Sequence, residues 1–335
     1  MTTRLEDYGV TDYTPLMSLV PREFSIFEEI GLIQEADIHF GTQEVHEFER
    51  ITLGEDTMDA TSRGGDRSFA GDDEVQKESF RIPFFTNDKI TVPAEVQGFR
   101  QWGTEDEPAN VDSLVKRRVA RIQRNHAKLR RDAFYTALVD NKVHAKKKGV
   151  DTPLAKNFST VWGEVRNTDA MVLGTDKPFE KFETARQHVI AEAGDNADAY
   201  EMIVIVNSAT FQGIVDDASV VAAYDSYASE QEPLRERLSG NRNNKIFRHK
   251  GVVLLEDISG KIPAGKAYVM PLGIDGMWQI AYAPADTIEH ANQIAEQSYL
   301  FMKENYRSVV IESETSMALI NTMPQLITEI DVTIP

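Results

Sequence analysis

Along residues 111–148 the positions Val115, Val119, Ile122, His126, Leu129, Ala133 and Ala137 recur three or four apart, and no proline or glycine intervenes before Gly149. That period predicts one long helix over 111–148, approached at Pro108 and Asn110 and ended at Gly149. A helix of about 35 residues is about 50 Å long, more than a small domain is wide, so it reads as the spine of something elongated. Phe179, Phe182, Val189 and Ile190 predict a second helix over 178–193, with Pro178 in its first turn and Gly194 as its cap. Ser208 suits the N-cap of a third over 209–224. Nearer the N-terminus, Phe24, Phe27 and Ile30 share a face of a short helix over 23–30, inside an arm that carries Pro15, Pro21 and Gly31.

Period two appears elsewhere. Residues 44–53 and 79–86 are extended, the latter alternating Phe80, Ile82 and Phe84 with Arg81 and Phe85, and they predict the two legs of a hairpin. Between them, 54–78 holds Gly64-Gly65, Gly71 and the acids Glu55, Asp56, Asp59, Asp66, Asp72, Asp73 and Glu74, against only Met58, Phe69 and Val75 as large apolar residues. Such a segment builds no core of its own, so it reads as an extended loop ordered by something outside the subunit. Apolar runs at 202–206 and 251–255 predict buried strands, and 239–250 reads as a polar loop. Further strands are predicted at 266–271, 277–283, 298–306, 308–314 and 318–332, the last punctuated by Pro324. Arm, hairpin, long helix, mixed segments and late strands make an α+β order, not a doubly wound one.

Composition narrows the function classes. A chain of 335 residues suggests about two domains, or one core with large excursions. Its 54 acidic and 36 basic residues give a net charge of -18, which argues against general affinity for nucleic acid or anionic membrane. The lack of cysteine excludes disulfide scaffolds, thiolate metal sites and cysteine nucleophiles, and fits a reducing cytoplasm. Residues 1–10 carry Arg4, Glu6 and Asp7 and no apolar h-region, so no secretory signal is expected, and no apolar run approaches membrane-spanning length.

Phosphate-binding glycine loops, nucleophile elbows and zinc-binding helical histidine pairs are all missing. His39 and His46 are the histidines closest to a metal pattern, but their spacing is not that of a helical pair and the neighbouring acids Glu44, Glu47 and Glu49 belong to an extended leg, so they read as solvated strand residues. Asp72-Asp73-Glu74 lacks calcium-loop spacing. No catalytic residue, cofactor or metal is therefore expected. The long helix is strongly basic, with Lys116, Arg117, Arg118, Arg121, Arg124, Lys128, Arg130 and Arg131, followed by Lys146-Lys147-Lys148. On an acidic chain this points to acidic partner surfaces, those of identical subunits included, ahead of a solvated face or DNA contact. Gly64-Gly65 permit a sharp turn that presents Arg63 and Arg67, flanking Asp66, to carboxylates of an adjacent subunit; a flexible loop tip is the alternative.

The order and spacing of these segments resemble the major capsid proteins of tailed phages, and more closely the phage lambda major head protein family with its Hong Kong ninety-seven-type capsid fold. The resemblance covers nearly the whole chain. It is sharpest at Ser62-Arg63-Gly64-Gly65 with Ser68-Phe69, at Lys116-Arg117-Arg118 onward, and at Gly251-Val252-Val253-Leu254-Leu255 after the basic loop. The ending, from Tyr306 through Glu314 to Met323-Pro324-Gln325-Leu326, adds to it. It implies an N-terminal arm at 1–43, an extended hairpin loop at 44–90 lying across a neighbour, and a peripheral domain at 91–177 with the spine helix 111–148. An axial domain at 178–305 and strands at 306–335 returning to the peripheral domain complete it.

The function implied is a shell subunit without catalysis, assembling into pentamers and hexamers of an icosahedral head around packaged double-stranded DNA. It would be made in the host cytoplasm and end in the virion. Implied intersubunit contacts are Arg63, Gly64, Gly65, Asp66, Arg67, Phe69, Arg117, Arg118, Arg121 and Arg124. Implied partners are further copies of the chain, a separate scaffolding protein, a portal and optionally a decoration protein, with no membrane and no sequence-specific DNA binding. Lys77 is the one lysine at 54–78, which argues against the covalent loop cross-links of some relatives. An encapsulin-like compartment and a cytosolic acidic hydrolase are the alternatives.

Overall fold

The computed structural model describes residues 10–14, 25–52, 74–97, 111–193, 201–226 and 244–334. In chain order the first strands are β1 (Val10–Asp12), β2 (Ile38–Phe40), β3 (Val45–Thr52), β4 (Glu74–Arg81), β5 (Phe84–Thr86) and β6 (Lys89–Thr91). Then come β7 (Lys146–Lys147), β8 (Val150–Asp151), β9 (Asn167–Val172), β10 (Glu201–Asn207), β11 (Ile246–His249) and β12 (Val252–Asp257). The last are β13 (Lys266–Leu272), β14 (Trp278–Ala283), β15 (Tyr299–Asn305), β16 (Ser308–Asn321) and β17 (Thr328–Thr333). Helices are α1 (Ile26–Glu29), α2 (Pro93–Gln97), α3 (Val111–Val139), α4 (Phe158–Trp162), α5 (Pro178–Ala193), α6 (Ser208–Val215) and α7 (Ala218–Ser226).

Two larger sheets share the strands. One runs β1-β15-β16-β14-β2, with β5 and β6 also bonded to β16; the other runs β11-β12-β10-β13-β17-β9. In the second, β10 pairs parallel with β12 and antiparallel with β13, and 202–206 are buried without a break. A strand covered on both faces needs a continuous apolar run, which is why that stretch reads as unbroken rather than alternating. Helix α5 contributes Phe179, Phe182, Ala185 and Val189 to the core on a helical repeat. The main core runs through both sheets, and a smaller cluster of Val119, Ile122, Leu300 and Ile311 joins the first half of α3 to β15 and β16.

Several elements differ from expectation, each for a local reason. The long helix stops at Val139, not at 148. Asn141 adopts φ 52°, accepts the Phe158 N–H on its carbonyl at 2.9 Å, and donates from its side chain to Ser159 Oγ at 2.7 Å. Arg166 donates to the carbonyls of Ala137 and Val139 at 3.3 and 3.4 Å, satisfying acceptors that a helix C-terminus leaves open. Beyond it, β7 and β8 pair around Lys148 and Gly149, whose φ angles of 52° and 83° fit a type I′ hairpin turn. Gly149 therefore turns a hairpin and does not end the helix.

The helix expected at 209–224 is two, α6 and α7, and its N-cap is Asn207, whose side chain accepts the Thr210 N–H at 2.9 Å, not Ser208. Asp217 divides them, accepting from the backbone of Gly174 and Ser219. Of the short arm helix expected over 23–30, α1 covers Ile26–Glu29, where Phe27 stacks on Phe134 at 4.8 Å; Glu23 and Phe24 lie outside the described residues. Part of the expected polar loop 239–250 is β11, which turns into β12 through Lys250 and Gly251. The strands read at 308–314 and 318–332 divide differently, because β16 is continuous to Asn321 and β17 follows the turn at Pro324. In sheet membership, β14 and β15, within the stretch 178–305, bond in the sheet of β16, whereas β17 and β9 lie at one end of the other sheet.

Candidate intersubunit surface

β3 and β4 form the expected hairpin, antiparallel from Val45 opposite Arg81 to Thr52 opposite Glu74. Its second leg starts earlier than 79, at Glu74, and Phe84 belongs to the separate strand β5 beyond Pro83. Alternation sorts the hairpin into two faces. On the inner one, Phe48 and Phe80 are fully buried and meet edge to face at 5.5 Å, with Trp162 at 6.5 Å from Phe80. Lys156 Nζ lies 5.1 Å from the Phe80 ring centroid and donates to the Ser79 carbonyl, and Arg50 pairs with Glu164 at 3.4 Å. The outer face shows Val45 and Val75, about half exposed, and the ion pairs Glu49–Lys77 and Glu44–Arg81, both at 2.5 Å. Exposed pairs of this kind contribute about 0–1 kcal/mol each, so the aromatic inner face holds the root while the outer face remains open to a partner.

Beside the root lies a cavity of about 510 Å³ lined by Asp37, His39, His46, Glu47, Asp275 and Met323, among others. Gln279 fastens its floor, donating to the carbonyls of Glu49 at 3.0 Å and Gly276 at 2.9 Å. Asp37 accepts the Gly276 N–H at 3.1 Å, and burial pushes its carboxyl up. The His39 and His46 rings stack at 5.2 Å; burial, then the neighbouring His39, holds the His46 imidazole below its usual range. Among the described residues no group of three potential ligands converges as a metal ion would require.

On α3, Arg117, Arg121, Arg124 and Lys128 are exposed, four, three and four residues apart. They form a stripe turned away from the face that carries Val119 and Ile122. Arg118 is different: it is half-buried and donates to the Ile90 carbonyl at 2.8 Å, to Thr91 Oγ1, and to Glu95 at 2.6 Å. That arrangement spends its guanidinium within its own chain, fastening α2 and β6 to α3, and holds the Glu95 carboxyl below its usual range through the Arg118 hydrogen bond. Arg63, Gly64, Gly65, Asp66, Arg67 and Phe69 lie outside the described residues, as do Asp72 and Asp73.

Arg166 was not singled out in the sequence. Its side chain is buried; besides the α3 carbonyls it reaches Asn141 Oδ1 at 3.3 Å and Glu329 at 3.5 Å, joining the helix end to β17. No local pattern announces it, because its partners lie up to 163 positions away, from 166 to 329.

A family model described as phage major capsid protein E matches residues 25–332. The chain is 27% identical over 340 residues to the major capsid protein of Pseudomonas phage KPP10, covering 96% of each. It is 22% identical over 366 residues to that of Salmonella phage Felix O1, again covering 96% of each. Among solved structures it resembles the capsid of Ralstonia phage GP4, with a TM-score of 0.56, 10% identity, and 94% and 95% of the two chains covered. The capsid asymmetric unit of cyanophage A-1(L) gives a TM-score of 0.52 at 13% identity with the same coverage. At such identities these structures show the fold alone.

Proposed function

The chain belongs to the phage major capsid protein E family, and from that premise we propose that its copies close into pentamers and hexamers of an icosahedral shell around packaged double-stranded DNA. As a tailed-phage major capsid protein it has the Hong Kong ninety-seven-type fold, and its place is the virion. The comparisons do not favour the encapsulin-like alternative.

In this reading the chain is a wall component without catalysis, assembled in the host cytoplasm on a separate scaffolding protein and joined by a portal and optionally a decoration protein. The observation that carries it is the β3–β4 hairpin, rooted in its own subunit by Phe48 and Phe80 but presenting an exposed outer face. A two-stranded hairpin is marginal alone, so an exposed one of eight paired rungs gains from lying on a neighbour. The stripe Arg117, Arg121, Arg124 and Lys128 meets acidic surfaces of adjacent subunits, as does the loop with Arg63, Gly64, Gly65, Asp66, Arg67 and Phe69. The arm, extended-loop, peripheral and axial divisions of the chain are part of the same proposal.

Electron microscopy of the protein expressed alone and with its scaffolding partner tests this. Closed shells in either preparation support it; a chain that stays monomeric in both, with its fold intact, refutes it.

A further inference from the structure

Two of the hairpin turns share one chemistry, and a third departs from it. Lys148-Gly149 and Lys250-Gly251 each place both turn residues at positive φ, which matches the twist of their flanking strands. The β15–β16 hairpin closes through Tyr306 and Arg307 between the paired Asn305 and Ser308, with neither residue at positive φ and no glycine. Turn geometry does not account for a tyrosine and an arginine there. Tyr306 is 89% exposed, and the Arg307 guanidinium lies 5.1 Å from its ring centroid. The hairpin tip thus carries an aromatic ring with a cation held over it, the residue types that dominate binding hot spots.

The cavity at the β3–β4 root has complementary chemistry. Asp37, Glu47, Glu49 and Asp275 line it; Arg50, the one guanidinium of the lining, already pairs with Glu164, and Glu49 is paired with Lys77, which leaves Asp37, Glu47 and Asp275 as its acids. Glu47 and Asp275 are exposed at its rim, while Met323 and the stacked imidazoles of His39 and His46 supply ring-compatible walls. A space of about 510 Å³ is ample for one tyrosine ring with the end of an arginine.

The geometry points to a knob and socket between copies of this chain: the Tyr306–Arg307 tip of one subunit enters the acid-rimmed cavity of the next, with Arg307 facing Asp275 and Glu47. Because knob and socket are different surfaces of one molecule, the contact is head to tail and closes rings or nets. It rests on the reading of the chain as a self-assembling shell subunit.

The absence of cysteine allows a direct test. Arg307→Cys and Asp275→Cys are made in separate copies, co-assembled and oxidised; a disulfide-linked dimer is expected from the mixture and not from either variant alone. In parallel, Arg307→Glu is expected to lower the yield of closed shells about ten-fold or more, and pairing it with Asp275→Arg to restore most of that loss. Tyr306→Ala is expected to lower the yield while leaving the melting temperature of the unassembled subunit unchanged. Shells that form at full yield from Tyr306→Ala and Arg307→Glu overturn the proposal while leaving the shell reading intact. A loss that the charge swap does not restore, with no mixed disulfide, overturns the cavity as the seat. Wild-type protein that forms no shell overturns the shell reading itself.

Discussion

Phe48→Ala removes the side chain that seats the hairpin root. Phe48 is fully buried, 5.5 Å from Phe80 and 4.9 Å from His46 between ring centroids. Truncating a buried phenylalanine costs about 3–5 kcal/mol, of which the aromatic pair itself accounts for about 0.5–1.5 kcal/mol. The cost should fall on β3 and β4, because these strands pair only with each other. At about 1.4 kcal/mol per tenfold, the hairpin's opening equilibrium rises roughly a hundredfold to a few thousandfold. Hydrogen exchange on unassembled subunits reads this directly, with peptides over 45–52 and 74–81 compared against 201–207. Exposed Val45→Ala serves as control and should change exchange less than about threefold. Equal acceleration in the hairpin and in β10 would refute a separately anchored root; so would unchanged hairpin exchange in Phe48→Ala.

His126 contacts Ser313 Oγ at 2.6 Å, and burial, then the Arg130 charge, brings its imidazole down to about 4. The unfolded chain takes up that proton near pH 6.5, so this group's contribution is complete above about pH 6.5 and falls between there and pH 4, by about 3 kcal/mol at most. His126→Gln should flatten that part of the melting-temperature profile, and an unchanged slope would refute the assignment. Arg166→Ala should destabilise by about 3–5 kcal/mol in denaturant melts, because it leaves helix carbonyls and Glu329 without their buried partner, and Arg166→Lys should recover less than half of that. Asn141→Ala should cost more than Asn141→Gly, since glycine keeps the positive φ and loses only the hydrogen bonds; the reverse order in chemical denaturation would show that the backbone angle is unimportant.

Legibility followed the range of the interactions. The helix α5 is readable from its first turn through its buried face, because Pro178 and the Phe179, Phe182, Val189 repeat are local signals, while its expected cap Gly194 lies outside the described residues. The inner face of α3 is readable for the same reason, but its end at Val139 is not; the approach expected at Pro108 and Asn110 lies outside the described residues. Its stop depends on Arg166 and on Phe158, which come from later in the chain, while the lysines and alanine of 145–148 carry good helix propensity. Gly149 reads as a breaker, but a glycine requirement does not reveal which structure requires it, and here that structure is the β7–β8 hairpin. For the candidate surface, the hairpin follows from periodicity and the basic character of α3 from composition, while the stripe itself comes from the exposure of Arg117, Arg121, Arg124 and Lys128. In the sequence Arg118 reads like the other basic residues of the helix, and only the placement of Ile90, Thr91 and Glu95 beside it shows it to be half-buried and bonded to β6 and α2. The cavity joins residues from 37 to 323 and had no linear signature.

The 29 residues of α3 make a rod of about 43 Å that is not held evenly. Its last third, with Ala133, Phe134, Ala137 and Leu138, is sunk in the main core and fastened by Arg166, whereas its first half rests on the small cluster of Val119, Ile122, Leu300 and Ile311. Mechanically this is a lever with a firm pivot at its core end and a lighter mounting at the other, where the small cluster and the Arg118 hydrogen bonds to β6 and α2 hold it. A tilt of about 5° at the pivot carries the far tip by about 4 Å. Identical subunits in a closed polyhedron must meet at more than one dihedral angle, flatter across a facet and sharper at a vertex. A rod mounted this way is expected to take up that change of curvature at its more lightly packed end, with the packed interior of each subunit the same.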